Sequence, residues 1–328
     1  MAGSINAAGL ICLILAMLGA PRVAQAADQA AGDAKMVVTL LGTGDPIPSA
    51  TRNGPALLVQ AGGLNLMFDA GRGNTVRLRQ AGLWPGQIDA VFITHFHSDH
   101  LNGLGDLLTL GYIGRPNVRR NRPLQVVGPV GMKRIADALR SSIDDDVKIR
   151  TADEKIAPDG ADMNVREFSG DGPVFERNGV KVTAFAVDHG VFIKPAFGYR
   201  VDYDGKSVLL SGDTRFDENL IAHGAGVDLL VHETAVAPDA LEKLETVKAV
   251  LAHHTTPEQA GEVFARTKPK LAAFSHITLI QDAANPPVSE AEIERRARQK
   301  WNGALVVGED LMRITIGSSE VKVDRLMR

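Results

Sequence analysis

The stretch Thr94-His95-Phe96-His97-Ser98-Asp99-His100 decides how the rest of the chain is read. It follows a short apolar run, Ala90 to Thr94, with the character of a buried strand, and precedes a helical pattern that starts near Leu104. Three imidazoles and a carboxylate this close together would desolvate or repel one another unless a cation neutralises the acid and engages the ring nitrogens. A divalent metal ion does both. His95 and His97, two apart in extended chain, can face one centre, while Asp99 and His100, past the bend, can face a second.

Four side chains do not complete two centres, so further donors are expected at the ends of other strands. The run Val180 to Val187 leads into Asp188-His189-Gly190, Lys206 to Ser211 into Gly212-Asp213-Thr214, and Leu271 to Ser275 into His276. Strand ends at one edge of an α/β layer structure converge, which makes His189, Asp213 and His276 candidates to join the first cluster.

Around these points short apolar runs alternate with helical patterns at Asn74 to Ala81, Leu104 to Tyr112, Val130 to Ser142, Phe216 to Ala222, Thr256 to Thr267 and Ser289 to Trp301. Asn178-Gly179 and Asp204-Gly205 carry hairpin-turn signals. The pattern predicts an α/β fold in a single domain, with Asp144 to Pro173 as a surface excursion.

The N-terminus reads differently. Residues 10 to 20 form a short apolar run, followed by Pro21 and Ala24-Gln25-Ala26, the pattern of a signal peptide over residues 1–26 with a hydrolase domain over 27–328. Cleavage there removes the sole cysteine, Cys12, so any metal site must use histidines and carboxylates. A periplasmic or secreted protein without stable membrane insertion is expected. With 36 Lys+Arg against 39 Asp+Glu, no strong positive field attracts nucleic acid.

The chain resembles the metallo-β-lactamase-fold superfamily of binuclear zinc hydrolases, whose marker is His-x-His-x-Asp-His. Within it, the ribonuclease Z and arylsulfatase-like branch is most similar. Leu41-Gly42-Thr43-Gly44-Asp45-Pro46-Ile47-Pro48 through Arg52-Asn53 resembles that branch's opening motif, and Phe68-Asp69-Ala70-Gly71-Arg72-Gly73 follows it. Ser211-Gly212-Asp213-Thr214, His232-Glu233-Thr234 and His254-Thr255-Thr256 resemble its later motifs.

The resemblance implies a four-layer αβ/βα sandwich. It assigns His95, His97 and His189 to one Zn²⁺ and Asp99, His100 and His276 to the other, with Asp213 bridging them; Mn²⁺ is an alternative ion. Two ions about 3.5 to 4 Å apart lower the pKa of a shared water to about 7, and the resulting metal-bridging hydroxide is the expected nucleophile. Asp99 is expected to orient it and take its proton. His254 would protonate the leaving alkoxide, with Glu233 holding its ring. Asp69 and Asp188 are candidates for orienting ligand histidines. His232 and His253 are read as structural, and His223, placed in a Gly-containing loop, receives no role. Gly42-Thr43-Gly44 and Gly71-Arg72-Gly73 are read as tight turns packed under the site.

The substrate is less constrained. The Lys/Gly-rich segment that tRNA-processing members of the branch carry before Ser211 is missing, His276 is followed by Ile277-Thr278-Leu279, and the region from Asp144 to Pro173 is acidic. Arg115, Arg119, Arg120 and Arg122 form a basic cluster that could draw in an anion, a solvated loop being the commoner reading of such a run. The expected function is cleavage of small anionic esters, a phosphodiester or an aryl sulfate, with tRNA disfavoured as a partner and a homodimer compatible with the sequence. The alternatives are a ribonuclease Z-like nuclease, a lactone or β-lactam hydrolase, and a non-catalytic metal-binding protein.

Overall fold

The computed structural model describes residues 34–326, so the expected signal peptide lies outside the described residues. Two mixed sheets form the frame. The first contains β1 (Ala34–Gly42), β2 (Ala56–Ala61), β3 (Leu64–Phe68), β4 (Ala90–Phe92), β5 (Leu124–Pro129), β6 (Met163–Phe168), β14 (Met312–Gly317) and β15 (Val321–Arg325), in the spatial order β15-β14-β1-β2-β3-β4-β5-β6. The second contains β7 (Gly172–Arg177), β8 (Val180–Ala186), β9 (Phe197–Tyr203), β10 (Lys206–Leu210), β11 (Leu229–Val236), β12 (Leu271–Leu279) and β13 (Leu305–Val307), in the order β13-β12-β11-β10-β9-β8-β7.

Residues alternate between faces of a strand, and here both faces are apolar because both are covered. In β3, Leu66 and Phe68 join the core between the sheets, where Val182, Tyr199, Val208 and Val231 meet them. Met67, between them, turns outward to Leu78 of α1 (Asn74–Gln80), Leu104 and Leu108 of α3 (Leu104–Ile113) and Met132 of α4 (Met132–Ser142). Beyond the second sheet, Leu209, Leu230 and Phe274 pack on α6 (Glu218–Gly224), α8 (Pro257–Thr267) and α9 (Glu290–Ala297). Three apolar cores thus separate four layers, the predicted sandwich. Each large side chain fully buried in them contributes about 1.5–3 kcal/mol.

Both hairpins form where expected. Asn178 and Gly179 (φ 52° and 78°) join β7 to β8, and Asp204 and Gly205 (φ 47° and 72°) join β9 to β10. The positive φ angles match the right-handed twist of the strands.

The region Asp144 to Pro173 corrects the expectation of a surface excursion. It holds α5 (Asp144–Asp153), β6 and the start of β7. Both strands are sheet edges, so half their side chains face water, and the polar composition that suggests a loop is that of an edge strand. Phe168 and Phe175 anchor them on the inter-sheet core. Helix α7 (Glu245–Leu251) and strands β13 and β15 are further elements that the apolar pattern did not reveal.

The sheets are tied together where β4 ends. The amide of Phe197 donates to the carbonyl of Thr94 (3.1 Å), and the Tyr199 hydroxyl donates to that of Ile93 (2.6 Å). These bonds hold the His95-to-His100 segment against the second sheet.

Candidate metal centre

After β4 the chain leaves the sheet, presents His95 and His97 from extended backbone, and enters the one-turn helix α2 (Ser98–Leu101), which carries Asp99 and His100. Beneath it, Gly71 leaves room for close backbone approach. A Cβ there would stand 2.7 Å from the Asp99 carbonyl and 2.4 Å from the carbonyl carbon of Gly54. The glycine turns are therefore packed under the site, as expected. His189 follows β8 and Asp213 follows β10. Gly212 makes the second turn possible with φ 61° and a path so close to Phe197 that a Cβ would meet its carbonyl oxygen at 2.4 Å.

His276 departs from the strand-end rule. It lies inside β12, where Phe274 pairs with His232 and Ile277 pairs with Thr234, so Ser275 and His276 together oppose Glu233. This is a β-bulge, and His276 adopts φ 43° within it. Glu233 likewise lies inside its strand, since β11 runs on to Val236.

The seven predicted donors converge. His95, His97, His189 and Asp213 form one group and Asp99, His100 and His276 another, with the ligand atoms in each lying within 4.8 Å of one another. One oxygen joins the groups: Asp213 Oδ2 lies 3.8 Å from His95 Nε2, 3.6 Å from His189 Nε2, 3.3 Å from His100 Nε2 and 3.2 Å from His276 Nε2. All are buried except His97, which is half-buried. His95 Nε2 and His100 Nε2 are buried without an aligned hydrogen-bond partner. Buried polar atoms without partners are rare, and orphaned imidazole nitrogens aimed at one shared carboxylate oxygen are what metal ligands present. The donor set fits divalent cations.

The charges agree. Burial pushes the His95 and His189 imidazoles down, His189 to about 3, so both are neutral donors. Burial acts the same way on His100 and His276, but the carboxylates override it: Asp213 and Asp69 raise His100 well above its ordinary value, and Asp213 with Asp99 brings His276 to about 9. Burial would raise Asp213, yet His276 and His100 hold it well below the carboxylate range. Without a cation, the acids are compensated by protons on imidazoles.

A surrounding set fixes the ligand rings. Asp69 accepts from the Thr94 amide (2.9 Å) and hydroxyl and lies 2.8 Å from His100 Nδ1, so the expected orienting role falls to it. Asp188 differs from its expectation: its carboxylate accepts from the Gly190 amide (2.9 Å) and pairs with Arg215, shaping the turn instead of a ring. His189 Nδ1 donates to the carbonyl of His253 (2.7 Å), which leaves Nε2, 3.4 Å from His97 Nδ1, as the nitrogen turned toward the other donors. That contact is a backbone one and has no side-chain signature in the sequence. The His253 ring, expected to point away, stands at the site with its centroid 5.2 Å from that of His189. His232 is structural as expected, its Nδ1 bonded to the Glu233 carbonyl and its ring against Phe264. His223 lies on α6, not in a loop, and stacks on Phe185.

Beside the ligands stands the Glu233/His254 pair. Glu233 Oε1 accepts from the amides of Thr214 (3.2 Å) and Thr255 (3.0 Å), which aims Oε2 at His254 Nδ1, 3.2 Å away. The distance is that of an ion pair, although the ring is not turned to point its N–H straight at the oxygen. Burial lowers the His254 pKa, but the carboxylate overcomes that and holds it above the ordinary value. The helix start at Pro257 is capped by Thr256 and Gln259, so His254 is not engaged there.

The basic cluster is not a single surface patch, because one of its members is turned inward. Arg120 is buried, donating to the carbonyls of Gly160 and Leu108, and burial, with Arg122 nearby, brings it down to about 10. Arg122 pairs with Asp89 at 3.2 Å, and Arg115 lies over the Trp84 ring.

The chain belongs to the beta-lactamase superfamily, in its metallo-β-lactamase-fold form: the family model for the beta-lactamase superfamily domain matches residues 65–277. Among its relatives, the ribonuclease Z of Mycobacterium sp. (strain KMS) is 33% identical over 284 residues, covering 85% of this chain and 95% of that protein. The ribonuclease Z of Mycobacterium bovis (strain BCG / Pasteur 1173P2) is 32% identical over 282 residues, 85% of this chain and 98% of that one. Among solved structures, the metallo-beta-lactamase fold protein YhfI from Bacillus subtilis superposes with a TM-score of 0.64 at 17% identity, over 84% of this chain and 97% of its own. Human tRNase Z, short form, gives 0.62 at 24%, over 85% and 99%. These likenesses establish the metallo-β-lactamase fold of a hydrolase superfamily, and the two His/Asp groups are what a divalent metal site presents. The ribonuclease Z name shared by these relatives runs against the expectation that disfavoured tRNA.

Proposed function

We propose that the chain is a two-metal phosphodiesterase of the ribonuclease Z type. The observation that carries the proposal is the single Asp213 oxygen within 3.8 Å of four imidazole nitrogens, with the Glu233/His254 pair beside it. His95, His97 and His189 would hold one ion, Asp99, His100 and His276 the other, and Asp213 both; the nitrogen and oxygen donors suit Zn²⁺. When bound, such a pair activates water and neutralises charge on the phosphate.

The chain's own residues do the rest. Asp99 stands where it can accept the proton of the attacking water. As the new P–O bond forms and the ester P–O bond breaks, the leaving oxygen takes a proton from His254. Glu233, facing Nδ1, favours the protonated ring and leaves Nε2 to deliver that proton.

The names of the relatives favour an RNA phosphodiester. A second reading, small anionic esters, is favoured by the engaged Arg120 and Arg122 and by the three aspartates Asp144, Asp145 and Asp146 in the first turn of α5. Zinc-loaded protein is expected to hydrolyse bis(p-nitrophenyl) phosphate and to lose that activity with chelator. Faster cleavage of a precursor tRNA selects the RNA reading, and p-nitrophenyl sulfate turnover would extend the small-ester one. Failure on every phosphodiester with metal bound sinks the proposal.

We also propose that the enzyme is exported, on the strength of the apolar run before Ala24-Gln25-Ala26. Intact-mass measurement of the protein from its native cell envelope should find a chain beginning at Ala27. A chain retaining Met1 or Cys12 contradicts it.

A further inference from the structure

Next to the metal centre runs a groove of about 500 Å³. One wall is the loop after β1, with Pro46, Ile47 and Pro48; the facing wall has Val250 of α7, with Leu279 and Ile280 at the end of β12. The groove adjoins the site through one residue. Ile277, which also lines it, is peptide-bonded to His276 and donates its amide to the Thr43 carbonyl (2.9 Å). Asp45, at the end nearer the metals, feels the charges of His276 and Asp99.

The chemistry of the walls selects an occupant. Ile47 leaves 67% of its surface in water, an apolar side chain with nothing covering it. The one guanidinium of the lining is withdrawn, since Arg52 donates to the Thr43 hydroxyl and the Gly308 carbonyl and pairs with Glu290. With Asp45 as the remaining charge, the groove repels an anion.

Building on the phosphodiesterase reading, we propose that this groove is a subsite for an uncharged aryl group on the substrate's retained side. The leaving oxygen must lie at His254. On this reading the group that stays on phosphorus is the one that enters the groove beside His276. The substrate class is an aryl-bearing phosphodiester.

Two esters with one leaving group test it: phenyl p-nitrophenyl phosphate and methyl p-nitrophenyl phosphate, each with zinc-loaded protein. Burying the ring predicts a kcat/KM ratio of roughly 30 in favour of phenyl. Ile47→Asp should reduce that ratio to below about 3, because it places a charge where the ring would be desolvated. Ile149→Asp, at an equally exposed apolar position on α5, should keep it. A wild-type ratio near one, or a ratio that survives Ile47→Asp, overturns the subsite. If neither ester is hydrolysed, the phosphodiesterase reading fails by itself, and calorimetry with phenylphosphonate and methylphosphonate decides the groove. Tighter phenyl binding that depends on Ile47 supports it, and equal affinities reject it.

Discussion

Asp213→Ala is expected to abolish hydrolysis, lowering kcat by about 10⁴ or more, and to reduce bound metal from two ions per chain to one or none. The reason is geometric. The same oxygen lies within 3.8 Å of imidazoles from both donor groups, so no other side chain in the cluster can replace it. Its removal takes away a ligand from each centre together with the charge that offsets two cations. Elemental analysis of the dialysed variant, with circular dichroism to confirm folding, checks this. Two ions retained at wild-type occupancy would show that the carboxylate is not shared.

The second large effect falls on His254. His254→Ala should keep both metals, slow diesters with poor alkoxide leaving groups by about 10²–10⁴, and change p-nitrophenyl esters by only about threefold. The nitrophenolate leaves without a proton. The pH dependence carries a sign. An acid must be protonated to act, so activity on the poor leaving group falls as pH rises through the His254 pKa, which Glu233 holds above the usual imidazole value against the effect of burial. Glu233→Gln keeps an acceptor for the Thr214 and Thr255 amides but loses the charge, so burial prevails and the alkaline limb moves to lower pH. Equal losses on both leaving groups, or a limb that stays in place, would remove His254 from proton delivery.

The site was more legible in the sequence than the edges of the fold. Packing does not call for three histidines and an aspartate between Thr94 and His100, so that cluster announces its chemistry without help from tertiary structure. His189 and Asp213 follow from the rule that strand ends converge. His276 satisfies the search for the wrong local reason, because it sits inside β12 at a bulge, and two residues facing one cannot be read from one strand alone. Strands β6 and β7 escaped because the edges of sheets resemble loops in composition. The His253 carbonyl, which orients His189, was invisible for a simpler reason: every residue has a carbonyl. In the arginine cluster the sequence could not separate the buried member from the exposed ones. Arg120 is spent internally, holding carbonyls that only the fold brings together.

The bulge opposite Glu233 couples two properties that would otherwise be separable. A strand's side chains alternate between faces; Phe274 and Ile277 both pack toward the helices behind the second sheet, and between them two residues, Ser275 and His276, stand opposite Glu233, which supports His254. Losing a single codon at Ser275 would restore a regular ladder with His276 alone opposite Glu233 and remove the left-handed turn (φ 43°) from which His276 reaches Asp213, displacing a metal donor and disturbing the carboxylate behind the acid in one event. Inherited changes in the length of this strand are therefore all-or-nothing for the enzyme, whereas the loop carrying Ile47 can vary in size and sequence and alter only what the enzyme accepts.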